Sequence, residues 1–198
     1  ATVRCNTGLC VLKSIMLSTV LFAAPAHAAP PLDMGFVYVS PVGQSGWTFE
    51  HDRARMAMAR ALGDKVSTRF VEAVPEGADS ERVMRDMVAQ GARVIVATSF
   101  GYLEPALRVA ADHPNVVIEH AGGNKVAKNL ATYNARFYEA RWLAGYLAGR
   151  SSANGVAGYV AGFPVPEVIQ GINAFTLGLR AANPQGEVRV LWLNTWFD

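Results

Sequence analysis

Apolar residues occur along this chain in two alternating patterns. Short unbroken runs predict buried strands: Gly35-Phe36-Val37-Tyr38-Val39, Val66–Val74, Arg93–Thr98, Asn115–His120, Leu130–Asn134, Gly155–Gly162 and Val188–Leu193. Between them, apolar positions recur at helical spacing. Trp47, His51, Ala54, Met58, Ala61 and Leu62 predict one face of a helix that Gly63 and Asp64 stop. Val83, Met84, Met87 and Val88 form the stripe of a second helix, capped by Asp79 or Ser80 and ended by Gly91. A third helix runs to about His113, then Arg136–Arg150 and Val168–Ala182 follow. Runs apolar on both faces and alternating with helices predict right-handed βαβ crossovers, an α/β fold with a parallel sheet. After the fifth strand the alternation restarts, and it stops with a strand just completed and no helix to cover it. Truncation at the C-terminal side is therefore expected.

Composition adds a restriction on location. The chain has 198 residues, 51% hydrophobic and 17% charged, with a formal net charge of +2. Basic and acidic residues are interleaved, so a nucleic-acid partner is not implied. Part of the apolar excess lies at the N-terminus, where Arg4 and Lys13 precede the apolar run Ile15–Ala24 and the small-residue site Ala26-His27-Ala28. That is the arrangement of a secretory signal peptide, too short to span a membrane, and cleavage is expected after Ala28. Cys5 and Cys10 fall before the cleavage point, and neither follows the apolar run as a lipid-anchor cysteine would. A periplasmic product without a lipid anchor is the expectation.

The strand ends carry the candidate chemistry. Met34–Trp47 reads as a strand, a Gly-rich turn and a helix start, the unit that presents backbone N–H groups at the carboxyl edge of an open sheet. Its bland alternative is a plain βα turn with Trp47 in the core. Later strands end in Ser99, Phe100 and Tyr102, in Glu119 and His120, in Tyr133 and Asn134, in Phe163 and Glu167, and in Asn194, Trp196 and Asp198. Aromatic rings mixed with amides, hydroxyls and acids suit a flat, uncharged heteroaromatic ligand that is stacked on its faces and read at its edge.

The catalytic templates fail. Trp47 stands where a nucleophile elbow needs its second glycine, and Gly122-Gly123-Asn124-Lys125 is neither a P-loop nor a dinucleotide fingerprint. No histidine pair has metal-ligand spacing. Glu119 and His120 are neighbours on a strand and point to opposite faces, which disfavours an acid–base pair. The residues supply no catalytic, metal or cofactor site, and Met56, Met58, Met84 and Met87 read as core filler.

Several stretches in order resemble the basic membrane protein (BMP) family, the substrate-binding proteins of ABC importers of the purine-nucleoside receptor type. They are Phe36–Val39, then Gly43–Trp47 with Glu50–Arg55, Ala97–Tyr102, Tyr133–Arg136, Phe163–Val168 and Asn194–Asp198. The likeness runs from about Asp33 to the end and looks closest to a branch associated with adenine-like ligands. It implies a type I periplasmic-binding-protein fold: two Rossmann-like parallel-sheet lobes, here 33–134 and an incomplete second lobe 135–198. It also implies an aromatic from each lobe sandwiching the purine, Trp47 matching the first position and Phe163 the second. The ligand-binding set expected is Trp47, Ser99, Phe100, Tyr102, His120, Asn134, Phe163, Glu167, Trp196 and Asp198. Where many members end the fourth strand with an Asp, this chain has Glu119-His120, a departure at that contact. The expected role is a monomeric periplasmic receptor passing a purine base or nucleoside to an ABC permease. Three alternatives stay open: a receptor for another flat ligand such as a flavin, a periplasmic nucleoside hydrolase, and the sensing module of a signalling receptor.

Overall fold

A computed structural model describes residues 29–197. Segment 1–28, which holds both cysteines and on which the expected export signal and cleavage point fall, and Asp198 lie outside the described residues. The elements, in order, are β1 (Leu32–Val37), α1 (Trp47–Leu62), β2 (Val66–Val71), α2 (Ala78–Ala89), β3 (Val94–Ala97), α3 (Leu103–Asp112), β4 (Val117–Ala121), β5 (Leu130–Tyr133), α4 (Phe137–Ser151), β6 (Val156–Ala161), α5 (Pro166–Ala182) and β7 (Glu187–Trp192). Strand and helix alternate as the sequence predicts. The strands end somewhat earlier than expected in β1 and β2, because the chain turns out of the ladder after Val37 and Val71.

Five strands form one sheet in the order β2-β1-β3-β4-β5, and β6 and β7 form a second. Every pairing between these strands is parallel. Parallel strands need crossovers, and α1, α2 and α3 supply them. Helices α2 and α3 cover one face, where Met84, Met87, Ala106 and Val109 meet Val37, Ile95 and Ile118, all buried. Each large side chain sealed there contributes about 1.5–3 kcal/mol.

The opposite face corrects the expected orientation of α1. Of the predicted stripe, Ala54, Ala61 and Leu62 are exposed and Met58 packs against Phe36, Tyr38 and Val96, while the residues α1 buries fully are Thr48 and Asp52. They meet a polar patch on the sheet. The Tyr38 hydroxyl donates to Asp52 Oδ1 at 3.2 Å, Arg55 Nε donates to the same oxygen at 2.7 Å, and Arg55 Nη1 donates to Thr68 at 2.9 Å. The Arg55 guanidinium also lies 4.9 Å from the centre of the Phe70 ring. Burial, with the Asp52 carboxylate beside it, pushes the Tyr38 phenol well above its ordinary range.

Around β6 and β7 the packing is set by helix against helix. A side chain at Gly145 would stand 1.9 Å from the Phe175 carbonyl oxygen, and one at Gly178 would stand 2.0 Å from that of Trp142. The absence of Cβ atoms lets α4 and α5 touch along their backbones. This unit leaves large apolar side chains open on its helices and its strands: Leu143, Leu147, Val160, Leu177 and Leu191 are each at least 60% exposed.

Among the buried polar residues, His120 has the largest side chain. His120 is fully buried beside Gly123 and Thr132, and neither ring nitrogen has a hydrogen-bond partner among the described residues. Desolvation lowers its pKa from 6.5 to about 4.

Two predictions follow from this packing. Gly178→Ala should cost about 1–3 kcal/mol in denaturant unfolding because backbone has to move, whereas Gly158→Ala, which meets nothing within 4 Å, should change stability by less than about 0.5 kcal/mol. The second concerns pH. The unfolded chain takes up the His120 proton near pH 6.5 and the folded chain only near pH 4, so the neutral ring's contribution is complete above pH 6.5 and lost as pH falls toward 4. Stability should drop by up to about 1.4 kcal/mol per pH unit over that window. Unfolding midpoints measured from pH 7 to 4 should fall less steeply in His120→Leu; parallel profiles would contradict the assignment.

Candidate functional site

The carboxyl ends of β1, β3 and β4 face the first turns of α4 and α5 and the end of β7, and a cleft of about 250 Å³ lies between them. Gly46, at φ +92°, turns the chain into α1 so that Trp47 stands at the helix start. The Trp47 indole Nε1 donates to the Thr98 carbonyl at 2.5 Å, which ties α1 to the end of β3. One edge of its ring packs on His51, with centroids 4.7 Å apart, and the ring faces Phe137 at 6.0 Å. Burial lowers the His51 pKa below its ordinary value despite the Trp47 carbonyl at 2.9 Å. Trp47 remains 38% exposed, so it is only partly a core residue and presents ring surface to the cleft.

Of the residues expected to act together, Trp47, Ser99, Phe100, Glu167 and Trp196 line the cleft. Four others sit elsewhere. Tyr102 is fully buried and its hydroxyl donates to the Val74 carbonyl at 2.6 Å. The short 3-10 turn Phe100–Tyr102 rotates it into the core, and burial together with Glu76 raises its pKa. His120 points into the core as described, so it meets no cleft surface. Asn134 stands at the cleft margin, where its amide donates to Glu167 Oε2 at 3.1 Å. Phe163 packs edge-on against Trp196, with centroids 4.9 Å apart and planes at 63°. It supports the ring that lines the cleft.

Several lining residues had no place in the expected set: Ser40, Thr98, Phe137, Arg141, Val165 and Val168. Ser40 and Thr98 end strands in the sequence and were detectable by that rule. Phe137 and Arg141 lie one helical turn apart at the start of α4, a spacing the sequence shows as ordinary packing. Near the cleft, burial lifts the Tyr133 phenol to about 12, with Glu119 as a second cause. A larger hollow of about 430 Å³ lies between the α2–β3 and α3–β4 connections, at the amino ends of the strands. It lacks the aromatic rings that converge at the carboxyl edge.

Among the described residues, no group of three His, Cys, Asp or Glu side chains is placed to hold a metal ion, and no helix is long and apolar enough to cross a membrane. The cleft offers ring faces, hydroxyl oxygens, one carboxylate and one guanidinium. Such a set has the chemistry to hold and orient a small molecule.

Known proteins share this arrangement of sequence and fold. A purine-binding protein of Brucella abortus is 49% identical over 178 residues, which are 90% of this chain and 51% of that protein. A protein of Haloferax volcanii named for binding glucose in an ABC transporter is 42% identical over 167 residues, 84% of this chain and 42% of its own length. The chain thus spans about half the length of the curated relatives it matches. In structure it is similar to an ABC transporter solute-binding protein of Aeropyrum pernix, with a TM-score of 0.68 at 22% identity, covering 82% of this chain and 47% of that one. The likeness places the five-stranded unit in the type I periplasmic-binding-protein fold. The pattern of the Bmp family, described as ABC transporter substrate-binding protein PnrA-like, matches residues 32–198. On that match, the chain belongs to the PnrA-like family of ABC transporter substrate-binding proteins.

Proposed function

We propose that this chain is the ligand-recognising part of a periplasmic receptor that delivers a purine base or nucleoside, of adenine type, to an ABC permease. The observation that carries the reading is the cleft itself, where Trp47, Phe100, Phe137 and Trp196 bring ring faces around about 250 Å³. That volume is below the range of about 300–1,000 Å³ usual for drug-sized ligands and suits a single fused ring system better than a three-ring flavin. The name of the Brucella abortus relative supports the same ligand class.

In this reading residues 33–134 and 135–198 belong to two lobes, and the ligand lies at their junction. Trp47 stacks on one face of the base. Trp196, held edge-on by Phe163, meets it from the other side. Ser99, Glu167 and Asn134 read its edge; Asp198, expected with them from the sequence, lies outside the described residues. No step of chemistry is required, since the role is capture and release. Residues 1–28 act as an export signal, and periplasmic protein should begin at or next to Ala29 when its N-terminus is sequenced.

The ligand test is calorimetry on the full-length gene product with adenine, adenosine and glucose. Adenine or adenosine should bind, with no product formed on long incubation. Trp47→Ala and Trp196→Ala should each weaken binding by about ten- to a hundredfold, as the loss of one base–aromatic stack of about 1–3 kcal/mol predicts. Heat with glucose and none with either purine would move the ligand class to sugars, after the Haloferax volcanii relative.

A further inference from the structure

Glu76 lies in the connection from β2 to α2, outside the cleft lining, yet three donors converge on one of its oxygens. The Ser99 hydroxyl donates to Glu76 Oε1 at 2.5 Å, the Gly101 backbone N–H at 3.0 Å and the Trp196 indole N–H at 3.0 Å. Gly101 leaves the room this needs, because a Cβ there would stand 2.3 Å from the Glu76 carboxyl carbon. The last bond joins residues 120 positions apart and crosses from the first sheet to the strand end beyond β7.

A hydroxyl has one proton and two lone pairs. With its proton committed to Glu76, Ser99 offers the cleft an acceptor only. The neighbouring groups repeat the arrangement. The Thr98 hydroxyl donates to the Val37 carbonyl at 2.8 Å, and the Ser40 hydroxyl is hydrogen-bonded to the Thr48 hydroxyl at 2.7 Å and the Pro41 carbonyl at 3.2 Å. Both cleft indoles have also turned their N–H groups into protein, Trp47 onto Thr98 and Trp196 onto Glu76. Glu167 adds carboxylate oxygens. Among the side chains of this wall, Arg141 is the donor, and it sits on the α4 side with its guanidinium 6.0 Å from the Tyr159 ring centre.

We infer that Glu76 is a positioning residue for ligand selection: by taking the protons of Ser99 and Trp196 it makes this wall of the cleft a reader of hydrogen-bond donors, such as the amino group of an aminopurine. The inference rests on the purine reading above and adds a residue that touches no ligand. Without Glu76, the Ser99 hydroxyl turns freely and serves a donor or an acceptor alike, and the Trp196 ring loses its anchor.

The test uses full-length protein carrying Glu76→Ala or Glu76→Gln, titrated with adenine and with unsubstituted purine, which lacks the amino group. Wild type should prefer adenine. In Glu76→Ala the adenine-to-purine preference should shrink at least tenfold. In Glu76→Gln, whose side-chain oxygen still accepts, it should stay within about threefold of wild type. A preference unchanged in Glu76→Ala overturns the inference. A second measurement needs no ligand: hydrogen exchange at the Trp196 indole, followed by NMR. Exchange should be about tenfold faster in Glu76→Ala than in wild type and Glu76→Gln, and equal rates in all three overturn the inference. If wild type binds neither base, the purine reading fails and the exchange rates alone decide whether Glu76 holds Trp196.

Discussion

The parallel direction of the strands is the constraint on which everything else here depends. Because β1, β3, β4 and β5 run the same way, their carboxyl ends meet at one edge, and so do the loops that follow them. A meander of the same strands would scatter those loops over two edges. The hydrogen bond from the Trp47 indole to the Thr98 carbonyl fixes the consequence at atomic scale. It locks the start of α1 to the end of β3, and thereby decides that the large ring stands over the edge instead of packing flat against the sheet. The rest of the cleft is arranged around that ring, with Phe137 facing it and Phe100 on the adjoining turn.

What the sequence made legible was the alternation of elements and the edge where they end. Strand ends are local signals, and the rule that points to the carboxyl edge picked out Trp47, Ser99, Phe100, Glu167 and Trp196, which line the cleft. The same rule failed for Tyr102. It is only three residues past Ser99, but the intervening turn is 3-10, which swings the side chain to the far face of the sheet. Helix α1 shows a subtler failure. Its period was readable and its phase only in part: Met58 packs inward as expected, but the fully buried residues are polar, and Asp52 and Arg55 find partners in Tyr38 and Thr68, residues on other elements. A hydrophobic pattern cannot report a face that is buried through hydrogen bonds.

Glu76 marks the limit of local reading. Its partners lie 23, 25 and 120 positions away, and nothing in Pro75-Glu76-Gly77 distinguishes it from a solvated turn. His120 presents the opposite case. It ends a strand, as a ligand contact should, but the pleat turns it inward, and the missing Cβ of Gly123 lets the chain close over it. Its burial without a hydrogen-bond partner among the described residues is a standing cost to the fold.

The direction of the protons around the cleft also sets what solvent removal costs there. Ser99 and Glu167 line the cleft as acceptors, and water satisfies an acceptor by donating one of its hydrogens. Under the proposed function, a molecule that enters without a donor for these oxygens leaves them desolvated and unpaired, which costs about 1–3 kcal/mol for each group.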